Sequence, residues 1–195
     1  MENTQAQIAA QNSPQSRTSN PEVENLDSAN LSDYIVDSHH RYAYAAIPEI
    51  QTLIDSVVGT HGAKHPELNL IKDYFWQLSN ELKLHMRKEE LVLFPYFKKL
   101  ADSFTNQKQL VHPLLGSVKS PVNVMEMEHE TAGLMQKKLF NLSMGFQAPE
   151  DASDAYLELF AKLKEFDADL HQHVHLENDV LFPKAIALEQ AVLAN

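Results

Sequence analysis

The sequence predicts an all-α protein built as an up-down-up-down bundle of four helices. Helix-forming Ala, Leu, Glu, Lys and Gln are plentiful, whereas glycine occurs only five times and Val and Ile form no alternating runs. Apolar residues recur instead at spacings of three and four along four long stretches. The connections are mostly short, which favours antiparallel neighbours, and 195 residues suffice for one domain with a sizeable core.

The amino-terminal residues 1–27 are rich in Gln, Asn, Ser, Thr and Pro and have almost no large apolar side chain. Such a segment cannot bury enough surface to offset the entropy lost on ordering, so we expect a disordered polar tail before a bundle of residues 28–190. The alternative is a helix that docks on a partner, since the tail contains the helix-compatible run Ala-Gln-Ile-Ala-Ala. The first bundle helix should cover about residues 30–58, with a kink where Pro48 removes a hydrogen bond.

The second predicted helix begins at Pro66, because proline is well tolerated in a first turn, and extends to about Leu100. Pro95 should bend or end it, since proline lacks the N–H that a helix interior requires. A polar connection over residues 101–119 should then lead into the third helix.

The third helix should start with Ser120 as its capping residue and Pro121 at its first position, and should end near Met144. Ser153 lies at the predicted start of the fourth helix, which should bend at Pro183 before a short tail.

Composition excludes several classes of function. A formal net charge of −11 argues against unaided binding to nucleic acid or to an anionic membrane surface, although an acidic surface also simply keeps a protein soluble. Cysteine is absent from the sequence, so any metal ligands must be His, Asp or Glu. No apolar run reaches the length of a membrane span and no signal peptide is visible, so we expect a cytoplasmic protein.

One motif occurs twice, from His85 to Pro95 and from His173 to Pro183. Each copy has a His, a Glu four residues later, and the ending Val-Leu-Phe-Pro. On a helix, residues four apart share a face, so each His and Glu can approach one metal ion. A single pair would be unremarkable in a chain with ten histidines and 27 acidic residues, but two copies in matching flanks indicate function.

The other two helices supply matching histidines, which makes the bundle two similar helical hairpins. The six candidate metal ligands are His40, His85, Glu89, His129, His173 and Glu177. This set is too large for one tetrahedral zinc ion and suits a pair of iron or manganese ions. Two bridging carboxylates with two histidines per metal leave room for an oxide or hydroxide bridge and for open positions. The alternative is a wet polar core without metal.

The sequence also resembles a known family. The segments that carry the resemblance are His40 before Ile-Pro-Glu-Ile, His61-Gly with His65-Pro-Glu-Leu, His85-Met-x-Lys-Glu-Glu before Leu-Phe-Pro, Glu128-His129 with Gly133, and His173-x-x-x-Glu177-Asn before Leu-Phe-Pro. They are similar to the iron–sulfur cluster repair di-iron proteins, a hemerythrin-like family, from residue 33 to about residue 188. The resemblance implies a hemerythrin-like bundle with two iron ions in an oxo- or hydroxo-bridged non-haem centre, held by the six residues above.

The resemblance further implies repair of iron–sulfur clusters damaged by nitric oxide or oxidants. Iron donation and nitric oxide binding with reduction are both open as mechanisms, so a nitric oxide reductase-like activity is one alternative. Implied partners are damaged iron–sulfur proteins or cluster scaffold proteins, with nitric oxide or dioxygen as small ligands. Longer family members carry an amino-terminal domain with a cysteine pair, which this sequence lacks. Competing functions are hemerythrin-type oxygen binding or sensing, and iron storage or metal delivery.

The remaining histidines are weaker candidates. His39 points away from the face of His40, so we expect it behind the ligands or at the surface. His171 and His175 lie off the face of the fourth helix that carries the ligands, so we expect both in solvent. His61 and His65 lie in a connection and should have structural or entry-path roles rather than ligand roles.

Overall fold

A computed structural model describes residues 20–107 and 116–194. All regular secondary structure in these residues is helical, so the predicted all-α class is confirmed. The α-helices are α1 (Pro21–Glu24), α2 (Ser28–Ile35), α3 (Arg41–His61), α4 (Glu67–Lys88), α5 (Phe94–Thr105), α6 (Lys119–Leu142), α7 (Asp154–His175) and α8 (Phe182–Leu193). Three wider π-helical turns lie at Val36–His40, Glu89–Leu93 and Leu176–Leu181.

The π-helical turns join consecutive α-helices into long bundle helices. The first bundle helix comprises α2 and α3, the second α4 and α5, the third α6 alone, and the fourth α7 and α8. Pro48 lies inside α3, which continues to His61. The helical path also continues beyond Pro95 and Pro183, because a widened turn precedes each proline and places it within the first two positions of the next helix.

The helix starts show one confirmed and one wrong prediction. The fourth helix starts where predicted, and Ser153 caps α7, its side chain accepting a hydrogen bond from the Tyr156 N–H. Ser120 does not cap α6, which begins at Lys119. The Glu189 carboxylate on α8 supplies the cap instead, accepting from the Val118 N–H at 2.9 and 3.1 Å. A carboxylate from a distant helix therefore replaces the local serine.

The predicted tail lies partly outside the described residues. Within the part that is described, Asn20 caps the short helix α1, and Val23 is buried. The Lys184 ammonium donates to the backbone carbonyls of Glu24 and Leu26, which ties this segment to α8. Ordered structure therefore begins before residue 28, while the division into tail and bundle stays a prediction. Of the predicted connection over residues 101–119, residues 108–115 lie outside the described residues.

The core consists of two apolar clusters with a polar layer between them. The larger cluster contains Ile47, Phe75 and Phe166, and the smaller one contains Phe97 and Leu181. Each fully buried apolar side chain of this size contributes roughly 1.5–3 kcal/mol to folding. In each repeated motif the histidine follows a leucine of the larger cluster, Leu82 or Leu170, and the glutamate precedes a leucine of the smaller cluster, Leu93 or Leu181. Apolar residues of both clusters therefore flank the motif. In the described part of the chain, none of the helices has the length and apolarity needed to cross a membrane.

Candidate metal centre

All six predicted ligand residues meet in the polar layer between the two apolar clusters. Each is buried, with at most 6% of its surface exposed. His40 ends the first π-helical turn, while Glu89 and Glu177 lie within the other two. Wide π turns of this kind frequently mark functional sites. The sequence pattern therefore located the residues that converge, and the ligand role of these residues remains to be tested.

The two carboxylates each divide their oxygens between two pairs of histidines. Glu89 directs Oε2 to His40 Nε2 at 3.5 Å and Oε1 to His85 Nε2 at 3.3 Å. Glu177 directs Oε1 to His173 Nε2 at 3.0 Å and Oε2 to His129 Nε2 at 3.1 Å. Two four-residue groups result, and each group shares both carboxylates.

We call these the sealed group and the open group. The sealed group is His40, His173, Glu89 and Glu177, and the open group is His85, His129, Glu89 and Glu177. In each group the candidate ligand atoms all lie within 4.8 Å of one another. Both groups have the size and composition of a metal site with two imidazoles and two bridging carboxylates.

Outer hydrogen bonds determine which imidazole nitrogen faces inward. His40 Nδ1 lies 2.8 Å from the Glu90 carboxylate, and His85 Nδ1 lies 2.8 Å from that of Glu128. An ionised carboxylate can only accept, so Nδ1 carries the proton and the Nε2 lone pair points into the centre. His129 Nδ1 makes the corresponding contact with the Asn178 amide oxygen at 2.8 Å. This is the tautomer that metal-binding histidines adopt.

When the imidazoles are neutral, the Nε2 atoms and the carboxylate oxygens that face the centre carry no hydrogen-bond donor. His40 and His173 bring their Nε2 atoms to 3.2 Å, and His85 and His129 to 2.9 Å. Both oxygens of Glu89 and of Glu177 are buried without a hydrogen-bond partner. Each such orphaned polar atom costs roughly 1–3 kcal/mol, a cost that bound cations would remove. The donor set thus fits hard or borderline cations such as iron or manganese.

Protonation behaviour shows the same demand for positive charge. Burial alone would lower the pKa of His40, but the Glu177 and Glu89 carboxylates outweigh it and raise that pKa to about 10. Burial likewise opposes protonation of His85, yet Glu89 raises its pKa to about 9. The pKa of the Glu177 carboxyl is held well below its usual range because its histidine neighbours outweigh burial. Protons and metal ions would therefore compete for this site.

The surroundings of the two groups differ. A cavity of about 350 Å³ lies between α4 and α6 and reaches His85 and His129. Glu128 and Lys88, which form an ion pair, line the same cavity. His40 and His173 are absent from its lining, and His40 is stacked against Phe94. The open group is named for this cavity, and the sealed group for the rings of Phe94 and His39, which cover its two histidines.

The other histidines lie outside the two groups. His39 is buried behind the ligands, with its Nδ1 3.0 Å from Asp169 Oδ1 and its ring stacked on that of His173. Of the two predicted locations for His39, the position behind the ligands is correct and the surface is wrong. His171 is largely exposed, with a relative side-chain exposure of 66%, and His175 is 40% exposed, as predicted.

His61 and His65 lie far from the centre. His61 ends α3, which at 1.5 Å per residue places it roughly 30 Å along the helix from His40. Its Nε2 is 2.9 Å from the Ser153 hydroxyl, and its ring packs edge-on against Tyr156. His65 contacts Asp151 and also packs on Tyr156. Of the roles predicted for these histidines, the contacts support a structural one.

Sequence reasoning did not assign roles to the outer partners Glu90, Glu128 and Asn178. Each is the immediate neighbour of a candidate ligand, at Glu89, His129 and Glu177 respectively. A step of one residue turns about 100° around a helix, which points such a neighbour toward an adjacent helix. Adjacency to a ligand was thus the available signal, but it does not specify which histidine the neighbour contacts.

The fold and the site define a helical protein with a buried histidine and carboxylate centre that could hold metal. Residues 32–185 match the Hemerythrin HHE cation binding domain. The chain therefore belongs to this hemerythrin family.

The chain is also similar to proteins that are named as iron–sulfur cluster repair proteins. The chain is 30% identical over 158 residues to the iron-sulfur cluster repair protein YtfE of Pectobacterium carotovorum subsp. carotovorum (strain PC1), covering 81% of this chain and 66% of the relative. YtfE of Yersinia pseudotuberculosis serotype IB (strain PB1/+) is equally similar, with 80% and 65% covered. A probable iron-sulfur cluster repair protein of Haemophilus influenzae is also 30% identical, with 81% and 65% covered. The chain thus spans just under two thirds of the length of these relatives.

Proposed function

We propose that this protein holds two iron ions at His40, His85, Glu89, His129, His173 and Glu177 and acts in the repair of damaged iron–sulfur clusters. The observation that carries the proposal is the division of each carboxylate between two histidine pairs. A single metal ion would leave one histidine pair and one oxygen of each carboxylate without a partner. A pair of ions satisfies all of them.

Iron supplies redox chemistry and open coordination positions for small ligands, and the protein supplies the geometry. The outer partners Glu90, Glu128 and Asn178 hold the imidazole planes and keep the inward lone pairs free. The two apolar clusters exclude water from the remaining sides.

The repair role rests on the family and on the names of the relatives. Damage by nitric oxide or oxidants, and partners such as damaged iron–sulfur proteins or cluster scaffold proteins, extend that role. The cavity at the open group supports both mechanisms under consideration, because iron donation and nitric oxide uptake each require a route to one metal position. The cytoplasm is our predicted compartment.

Hemerythrin-type oxygen binding is less consistent with the site. That function typically uses a fifth histidine and an aspartate at the two metals. Among the described residues, neither group contains a fifth histidine or an aspartate. Iron storage without repair is an alternative. A storage protein would not restore the activity of a damaged iron–sulfur enzyme.

The experiment begins with iron analysis of protein purified from an iron-replete host. Two irons per chain are expected. The loaded protein is then added to a [4Fe–4S] enzyme inactivated with nitric oxide, and recovery of activity is measured alongside consumption of nitric oxide under reducing conditions. A Glu177→Gln variant should fail in both, whereas His61→Ala should behave as wild type. Two bound irons without recovery of the enzyme or reaction with nitric oxide would refute the repair function.

A further inference from the structure

The ligand roles do not explain why both motifs end in Phe-Pro. In each copy the phenylalanine begins the α-helix that follows a π-helical turn, and the proline comes next. Phe94 and Phe182 are 2% and 0% exposed. A buried phenylalanine at the same position in both motifs points to a function close to the metal centre.

Each phenylalanine stacks on a histidine of the neighbouring bundle helix. The Phe94 and His40 ring centroids are 5.8 Å apart with planes at 19°. The Phe182 and His129 centroids are 6.1 Å apart with planes at 3°. In both hairpins the second helix therefore covers the histidine supplied by the first. Near-parallel stacking at this distance opposes rotation of the imidazole about its ring bond.

The same phenylalanines hold the backbone of the bridging glutamates. The Phe94 N–H donates to the Glu89 carbonyl, five residues back, and the Phe182 N–H donates to the Glu177 carbonyl in the same way. Each phenylalanine thus contacts two candidate ligands, one through its ring and one through its N–H.

Proline explains why this wide hydrogen bond is suited to these positions. Pro95 and Pro183 have no N–H, and in a regular α-helix the ring of each would meet the carbonyl four residues back. A widened turn relieves that contact. Pro48 lies within the uninterrupted helix α3, and the π-helical turn at Val36–His40 is followed by neither phenylalanine nor proline. Proline therefore favours the widened turn without being sufficient or necessary for it.

We propose that Phe94 and Phe182 are positioning residues for the metal centre, each orienting one histidine through its ring. This inference rests on the proposed di-iron site. Phe94 acts on the sealed group through His40, and Phe182 acts on the open group through His129. The pairing gives each phenylalanine a separate target, which makes the two effects distinguishable.

Phe97 provides a matched control. Its ring lies 6.0 Å from that of Phe94 and 6.3 Å from that of Phe182, and it is fully buried in the same apolar cluster. Its ring contacts are with these phenylalanines. A change at Phe97 therefore perturbs the packing around the centre while the two stacked pairs keep both of their rings.

The test compares Phe94→Leu, Phe182→Leu and Phe97→Leu in protein loaded with ⁵⁷Fe. Mössbauer spectra should resolve the two irons, and release of iron to a chelator and the Tm should be measured on the same samples. We expect Phe94→Leu to alter the signal of one iron and Phe182→Leu that of the other, with release from the affected position about tenfold faster. Phe97→Leu should lower the Tm to a similar extent and leave both signals and release rates as in wild type.

The possible outcomes distinguish a failure of the positioning role from a failure of the di-iron site. Absence of a pair of irons in wild type would refute the di-iron site itself. If wild type binds two irons and the Mössbauer signals of Phe94→Leu and Phe182→Leu are unchanged, only the positioning role is overturned. The same holds if all three variants change equally and in proportion to their loss of Tm. If Phe94→Leu does not fold, Phe94→Met takes its place, because it also removes the ring and its flexible side chain can fill the space that is left. It should alter the same iron signal, and an unchanged signal would overturn the proposal.

Discussion

The sealed and open groups have the same ligands and different surroundings. Each has two imidazoles and shares Glu89 and Glu177. Around the sealed group, Phe94 covers His40 and His39 stacks on His173. At the open group, a cavity reaches both histidines. Identical donors therefore do not imply equivalent metal positions, because access is determined by the neighbouring side chains.

The outer carboxylates add an electrostatic difference. Glu128, which contacts His85, also pairs with Lys88, and these two partners outweigh partial burial and hold its pKa below the usual range. Glu90, which contacts His40, lies near Tyr44, whose pKa is raised by burial and by the charge of Glu90. A carboxylate shared with an ammonium polarises its histidine less. We therefore expect the metal in the open group to be held less firmly.

The largest effect should come from removing a shared carboxylate. Glu89→Ala should reduce bound iron from two per chain toward none, because both groups lose a ligand. Elemental analysis measures this directly. Exposed Glu130→Ala on α6 is the control and should retain both irons. Two irons in Glu89→Ala would contradict the bridging assignment.

Single histidine changes should separate the two groups. His40→Ala should leave one iron in the open group, and His129→Ala should leave one in the sealed group. We expect the remaining iron to transfer to a chelator about tenfold faster in His40→Ala, which corresponds to about 1.4 kcal/mol in the barrier. Stopped-flow absorbance measures the rates. Equal rates would remove the distinction between the sealed and open groups.

The Lys88 ion pair should weaken the hold of the open group on its metal. Lys88→Ala leaves the Glu128 carboxylate to polarise His85 alone, and we expect iron release to slow several-fold while the stoichiometry stays at two. Lys98→Ala, which breaks a surface pair with Asp33 instead, is the control. A faster release in Lys88→Ala would indicate that the ion pair closes the cavity rather than weakening the contact between Glu128 and His85.

The difference in stability between metal-loaded and metal-free protein should grow with pH. The pKa of His40 rises from 6.5 to about 10 on folding, so its stabilising contribution is full below 6.5 and is lost as pH rises through about 10. Metal-free protein should therefore lose stability across that window. Metal binding displaces these protons, so the gain in Tm on loading should increase from pH 6.5 to pH 9, as differential scanning calorimetry can measure. A gain that shrinks over this range would contradict the competition.

The smallest effect should come from the far end of the bundle. Ser153→Ala removes the cap of α7 and the hydroxyl that contacts His61, which should cost about 1 kcal/mol of stability. Iron content and release from both groups should remain as in wild type, because this end is roughly 30 Å from the centre. Urea denaturation gives the stability, and altered iron release would reveal an unexpected link between the two ends.

Local patterns account for what was predictable in the fold. Spacings of three and four located four long helices, and Ser153 was placed at the start of the fourth because helix-start signals lie within one turn. Ser120 presented the same local signal and was overridden by Glu189, which lies far away in sequence. The second helix was predicted to extend to about Leu100 with a bend or an end at Pro95, but the π-helical turn that precedes this proline was not predicted, since it depends on packing against other helices.

The sequence by itself determined the helical class and the six residues that converge, because their four-residue spacing and their repetition are properties of the chain alone. Tertiary structure decided how Glu89 and Glu177 divide their oxygens, and why a cavity between two helices reaches His85 and His129. Those features depend on the rotation and separation of helices around a shared core. Periodicity along one helix records which face is buried, and it carries no information on which side chain of another helix that face will meet.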